Sequence, residues 1–172
     1  MFLFTLQAAA QVREDRSTTG PVPPKGVDVI GHISRTRALL ATQTVIQGVP
    51  AYIWKDGCGP TAVGMIAGYY DIKGFSDLFP GDATTQTTAV NTAISSTESY
   101  NDYCLPIESA LPVIADKSEL PLGDEHADNC IADYMKTSQS VIGNIYGWSF
   151  GKDIKPSWEN YIANKAPNYV GT

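Results

Sequence analysis

Long hydrophobic runs are missing from this sequence. No apolar stretch nears the roughly 20 residues that cross a bilayer, so neither a transmembrane anchor nor a membrane partner is expected. Basic runs are missing as well: 12 Lys+Arg stand against 18 Asp+Glu, giving a net charge of −6 and a pI near 4.7. That balance leaves no electrostatic footprint for nucleic acid. Histidine is scarce, with only two, and the three cysteines do not fall in a zinc-ligand spacing, so no metal or other cofactor is expected. Internal repeats and low-complexity blocks are absent, and convincing strands are few. What is present is 172 residues, 43% hydrophobic and 17% charged, enough to bury the core of one domain without covalent staples.

Met1 to Gln11 carries a short apolar run ending in Ala8-Ala9-Ala10. It reads either as the last part of a secretory signal that lacks a basic n-region or as a frayed apolar tail. Val12 to Lys25 is polar and rich in Pro and Gly, too poor in apolar side chains to offset the entropy of ordering. Residues 1–25 are therefore expected to be leader and linker, and residues 26–172 the domain. Cys104 and Cys130 lie in similar surroundings and are a possible disulfide, worth about 3.5 kcal/mol in the chain-entropy model. One pair plus one lone thiol suits an exported protein, so a secreted or cell-envelope location is expected. The alternative is three buried thiols in a cytosolic protein. The sequence does not fix the oligomeric state.

Val27 to Ile33 alternates loosely and reads as a short strand, and Thr36 to Val49 is apolar with a period between helix and strand. Lys55-Asp56-Gly57 is a turn signal, and Pro60 suits the first turn of a helix, where a missing N–H costs nothing. The following segment is apolar on nearly every face up to Tyr70, which predicts a buried helix ending near Gly74. Gly64 and Gly68 each weaken it by about 1 kcal/mol relative to Ala, which predicts another element close to its backbone. Asp77 to Asn101 reads as a long loop holding at most a short helix over 88–94. A second helix is expected over Asp124 to Ser140, capped by Asp124, with Ala127, Ile131, Tyr134 and Met135 on one stripe. A third is expected over Ser157 to Lys165, capped by Ser157 behind Pro156, with Trp158, Tyr161 and Ile162 inward. Val141 to Phe150 is left as strand or turn.

The residue that points to chemistry is Cys58. A cysteine at the start of a buried helix meets the positive end of the helix dipole, a setting that stabilises thiolates, and the N–H groups there can hold an oxyanion. Gly57 and Gly59 leave the sulfur open to a carbonyl. The competing reading is a small buried hydrophobe. Consecutive acids at 124, 125, 128 and 133 around His126 fit a helix start better than a metal site.

The stretch PAYIWKDGCGPTAVGMIAGYYD, residues 50–71, resembles the active-site segment of papain-like cysteine peptidases, in particular secreted bacterial proteins similar to cysteine peptidase family 39, the bacteriocin-processing type. HADNCIADYMKTS (126–138) and YGWS (146–149) also look like features of that group. The resemblance implies a papain-like α+β fold, a peptide or protein substrate, and Cys58 as the nucleophile that forms a thioester and hydrolyses peptide bonds. Two departures stand out. Where these peptidases place an oxyanion Gln, six residues before the Cys, this chain has Tyr52. Gln47, the Tyr52 hydroxyl or the Trp54 indole are left as donors, with aromatic packing as the other reading for Tyr52 and Trp54. The base is the second: in the family it is a His on a strand of the C-terminal β-rich half, and here only His126 follows Cys58. The expectation is that the chain holds mainly the helical half, with the β-rich half missing, and that it is inactive as it stands unless His126 serves. A non-catalytic exported binding module on the same fold is the alternative.

Overall fold

The structure is a computed structural model that describes residues 45–103, 117–121, 126–144 and 147–169. The leader and linker, the strand expected over 27–33, Cys104 and Asp124 lie outside the described residues. Among the described residues, regular structure is helical: α1 (Cys58–Ile72), α2 (Thr88–Ile94), α3 (Thr97–Tyr103), α4 (Ile131–Tyr134) and α5 (Gly151–Lys165), with three-residue 3-10 turns at Lys117–Glu119, Ser140–Ile142 and Pro167–Tyr169. No helix among them is long and apolar enough to cross a membrane.

Helix α1 is the hub, packed against α2, α4 and α5. Its two interior glycines explain the packing. A Cβ on Gly64 would fall 2.7 Å from the Ile94 side chain, and one on Gly68 would strike the Tyr52 hydroxyl and Pro50. Tyr52 and Ile94 therefore lie against bare backbone, and together with Val63, Ala67, Phe79 and Tyr161 they form the core. Ile94 is wholly buried, which contributes roughly 1.5–3 kcal/mol. The expectation that α1 is buried on all sides is corrected: Ile66 and Tyr70, one turn apart on the face away from those glycines, are 48% and 43% exposed.

The polar stretch after α1 is not a free loop. Its backbone is fastened by buried hydroxyls: Tyr52 donates to the Ala83 carbonyl at 2.6 Å and Tyr161 to that of Leu78 at 2.8 Å. Asp71 accepts from the Phe79 N–H at 3.2 Å. Gln86 exchanges two bonds with the backbone of Ile53, which ties this stretch to the segment leading into α1. Thr87 caps α2 and Ser96 accepts from Ser99 N–H at 3.0 Å to start α3, a helix where a loop was expected.

The helix expected over Asp124 to Ser140 contracts to four residues. Residues 126–129 are not helical. Asp133 instead turns its carboxylate back onto the N–H groups of Asn129 and Cys130, at 3.0 and 3.3 Å. Beyond Tyr134, Lys136 and Ser138 take positive φ values of 53° and 60°. Their neighbours' hydroxyls and amides bond elsewhere: Thr137 with Ser149 at 2.7 Å, and Asn144 to the Lys136 carbonyl at 2.8 Å. Short polar side chains have outcompeted the helix for hydrogen bonds. In α5 the difference runs the other way. The helix begins six residues before Ser157, with Pro156 on its exposed side inside it. The Ser157 hydroxyl is no cap; it lies between the carbonyls of Asp153 and Tyr134 and ties α5 to α4. Tyr161 is buried and Trp158 half-buried against the core, as their spacing predicts.

Candidate active site

Cys58 is the first residue of α1, half-buried and in no disulfide. The start of the helix has no side-chain cap of the usual kind. Thr61 replaces it: its hydroxyl accepts from the Lys55 N–H at 2.9 Å and donates to the Gly57 carbonyl at 2.7 Å, clipping the turn onto the first helical turn. Asp56 adopts φ 53° and Gly57 φ 157° in that turn. A Cβ on Gly57 would lie 2.9 Å from both Pro60 Cδ and Thr137 Cγ2, and 3.0 Å from the Gly147 carbonyl oxygen, so only glycine fits. Lys55 pairs with Asp56 at 2.6 Å and lies over the Tyr100 ring.

Three stretches far apart in the chain meet here. Residues 54–61 are met by Thr137 from one segment and by Gly147 from another. Those two segments are themselves joined: Ser138 N–H donates to the Trp148 carbonyl at 2.9 Å and Gly147 N–H to the Ser138 hydroxyl at 2.6 Å. Behind the turn a crevice of about 10 Å³, room for one water, lies between Asp56, α3 (Ser99, Tyr100, Tyr103) and residues Ala132, Thr137 and Ser138. A larger hollow of about 890 Å³, between the 77–81 loop, α2 and the end of α5, is lined by no residue of the Cys58 turn.

The other expected site residues scatter. Trp54 stays beside the turn, with its ring edge 3.2 Å from where a Gly147 Cβ would be. Tyr52, expected either as an oxyanion donor or as aromatic packing, has its hydroxyl bound to the Ala83 carbonyl and lying over Gly68, about 15 Å along α1 from Cys58 at 1.5 Å per residue. Burial, then the charges of Asp71 and Asp82, push that phenol up to about 12. Gln47 is exposed in the segment before Pro50. Cys130, the other half of the expected disulfide, is a free thiol with no exposed surface, and burial followed by the Asp133 charge pushes it up to about 12.

His126 stands in the acidic setting its neighbours in sequence suggest, joined by an acid that sequence reasoning missed, Asp102. Its Nδ1 lies 2.9 Å from the Ala127 carbonyl oxygen, and its Nε2 lies 3.5 Å from Asp102 Oδ2 and 3.7 Å from Asp133 Oδ1. Lys117 holds the other oxygen of Asp102 at 2.9 Å, and the Tyr103 ring packs 5.4 Å from the imidazole. Burial works against a charged ring, but the Ala127 bond and the carboxylates of Asp133, Asp102 and Glu98 outweigh it and hold the imidazole above its ordinary 6.5. Among the described residues no group of three or more His, Cys, Asp and Glu side chains is arranged to hold a metal. The signal available in the sequence was the acid at Asp133, one of those taken there for a helix start; Asp102 lies 24 residues upstream, where the sequence reads as a turn. No protein-family model, no curated protein and no solved structure matches this chain.

Proposed function

We propose that this chain is a cysteine peptidase-like domain of the papain type in which Cys58 attacks a peptide carbonyl. The observation that carries the reading is the meeting at the first turn of α1: Thr137 and Gly147, which belong to the 126–138 and 146–149 stretches that resemble the same peptidase group as the Cys58 segment, pack against that turn. The sulfur sits at the positive end of a 15-residue helix, half-buried, with glycine on either side. Peptide-bond hydrolysis there runs through a thioester, with the oxyanion taken by N–H groups at the start of α1.

A specific observation favours a second reading, a non-catalytic binding module on the same fold that keeps the Cys58 helix for packing. The reaction needs a base with a lone pair aimed at the thiol, and both ring nitrogens of His126 face oxygen acceptors instead. A peptide-derived electrophile followed by a peptidase assay separates the two. Covalent labelling at Cys58, with cleavage of a mixed peptide pool that disappears in Cys58→Ala, is expected of the peptidase. Labelling without cleavage points to a peptidase half-domain lacking its base, and absence of labelling on the folded protein overturns the peptidase reading in favour of the binding module, with Cys58 as a packing residue.

A further inference from the structure

The His126 cluster carries an inference that does not rest on the reading of Cys58. Among the described residues, the polar atoms placed against the imidazole nitrogens are acceptors. A carbonyl oxygen cannot donate, so Nδ1, at 2.9 Å from the Ala127 oxygen, has to carry its proton. On the other side Nε2 looks at one carboxylate oxygen from α3 and one from α4, at 3.5 and 3.7 Å, and makes no hydrogen bond. A neutral ring with its proton on Nδ1 would aim the Nε2 lone pair between two negative oxygens in a buried place. A second proton turns that repulsion into attraction to both. Asp133 Oδ1 is likewise buried without a hydrogen bond, and the same charge is what compensates it.

We propose that His126 is held as an imidazolium that latches α3, through Asp102, onto the segment around α4, through Asp133, and that this junction is released by loss of one proton. Among the described residues, the charged and titratable groups around it are Glu98, Asp102 and Tyr103 on α3, Lys117 on the neighbouring 3-10 turn, Asp128 on its own segment, and Cys130 and Asp133 at the start of α4. Lys117 stays on Asp102 when the ring is neutral, so α3 keeps one ion pair but loses its bridge to α4. A hydrogen bond that does not depend on the imidazole proton, Asn129 Nδ2 to Glu98 Oε2 at 2.5 Å, spans the same junction and limits the release to a loosening. The two sides of the latch are also two walls of the crevice behind the Cys58 turn.

The raised value of the folded state fixes the sign. The latch contributes its full stability below the unfolded value of about 6.5 and loses it as pH rises through the folded value. The direct test is proton NMR of the Cε1–H, assigned by its loss in His126→Gln and followed with pH in the full chain. A midpoint above 6.5 is expected, with both ring nitrogens protonated at about pH 6.5, and Asp102→Asn should bring the midpoint down. A midpoint at or below 6.5, or a neutral tautomer at that pH, overturns the proposal. Thermal unfolding gives a second readout: the Tm advantage of wild type over His126→Gln should be largest below about pH 6 and shrink towards about pH 9. An advantage that is flat or grows with pH overturns it equally.

Discussion

Cys58 and Cys130 each stand at the start of a helix, and almost nothing else about them is alike. Cys58 heads 15 residues of helix, is half-buried, and has glycine on either side. Cys130 precedes a helix of four residues, has no exposed surface, and shares its surroundings with the Asp133 carboxylate. A helix start is therefore not enough to make a thiol useful. The dipole acts on whatever reaches the first turn, but burial and one nearby negative charge override it. What distinguishes Cys58 is partial exposure and its neighbours: a Gly57 turn in which no Cβ fits, and no acidic residue in the first turn.

The sharpest test of that contrast is alkylation by iodoacetamide at about pH 8 on the native fold, in a Cys104→Ser background. A thiol pushed up to about 12 is ionised to roughly one part in ten thousand at that pH, and Cys130 is sealed besides. Peptide mass spectrometry should find Cys58 labelled at least about a hundred times faster than Cys130. Comparable rates would break the comparison. The next effect is in stability and has the opposite pattern. Cys130→Ala leaves a void at a fully buried site and should cost about 1–2 kcal/mol in urea unfolding. Cys58→Ala should stay within about 0.5 kcal/mol of wild type. If the two changes cost the same, Cys58 is as much a packing residue as Cys130.

The part of this contrast that was legible in the sequence is the part written in local punctuation. Pro60, the turn signal at 55–57 and Gly74 bracket α1, and the Gly64 and Gly68 pair announces the close approach that Ile94 and Tyr52 make. Helix α3 was hidden because the face it buries is Ser99, Asp102 and Tyr103, so no apolar period marks it. The helix expected through 140 failed because Asp133, Thr137 and Ser138 hydrogen-bond more strongly to backbone and partners at a distance than to a continuing helix. In α5 the proline was read as a boundary, yet its ring faces solvent and Ser157 binds the adjoining turn to Tyr134. The candidate nucleophile was visible from its neighbours; the contacts of Thr137 and Gly147 with its turn join residues about eighty to ninety apart, which no local pattern encodes.

The smallest expected effect concerns how the Cys58 turn is held, where Thr61 does for α1 what Asp133 does for α4. One buried hydroxyl accepts from Lys55 N–H and donates to the Gly57 carbonyl, so Thr61→Val keeps the shape and removes two bonds. The Lys55 N–H is then left facing a methyl group, and the expected loss is about 1 kcal/mol, a few degrees in Tm. Thr61→Ser, which keeps the hydroxyl and drops the methyl, should retain most of the stability. The reverse order, with Val stable and Ser not, would mean that packing of the methyl group holds the turn. Cys58 would then owe its position to the same kind of contact that buries Cys130, and the difference between the two thiols would reduce to burial alone.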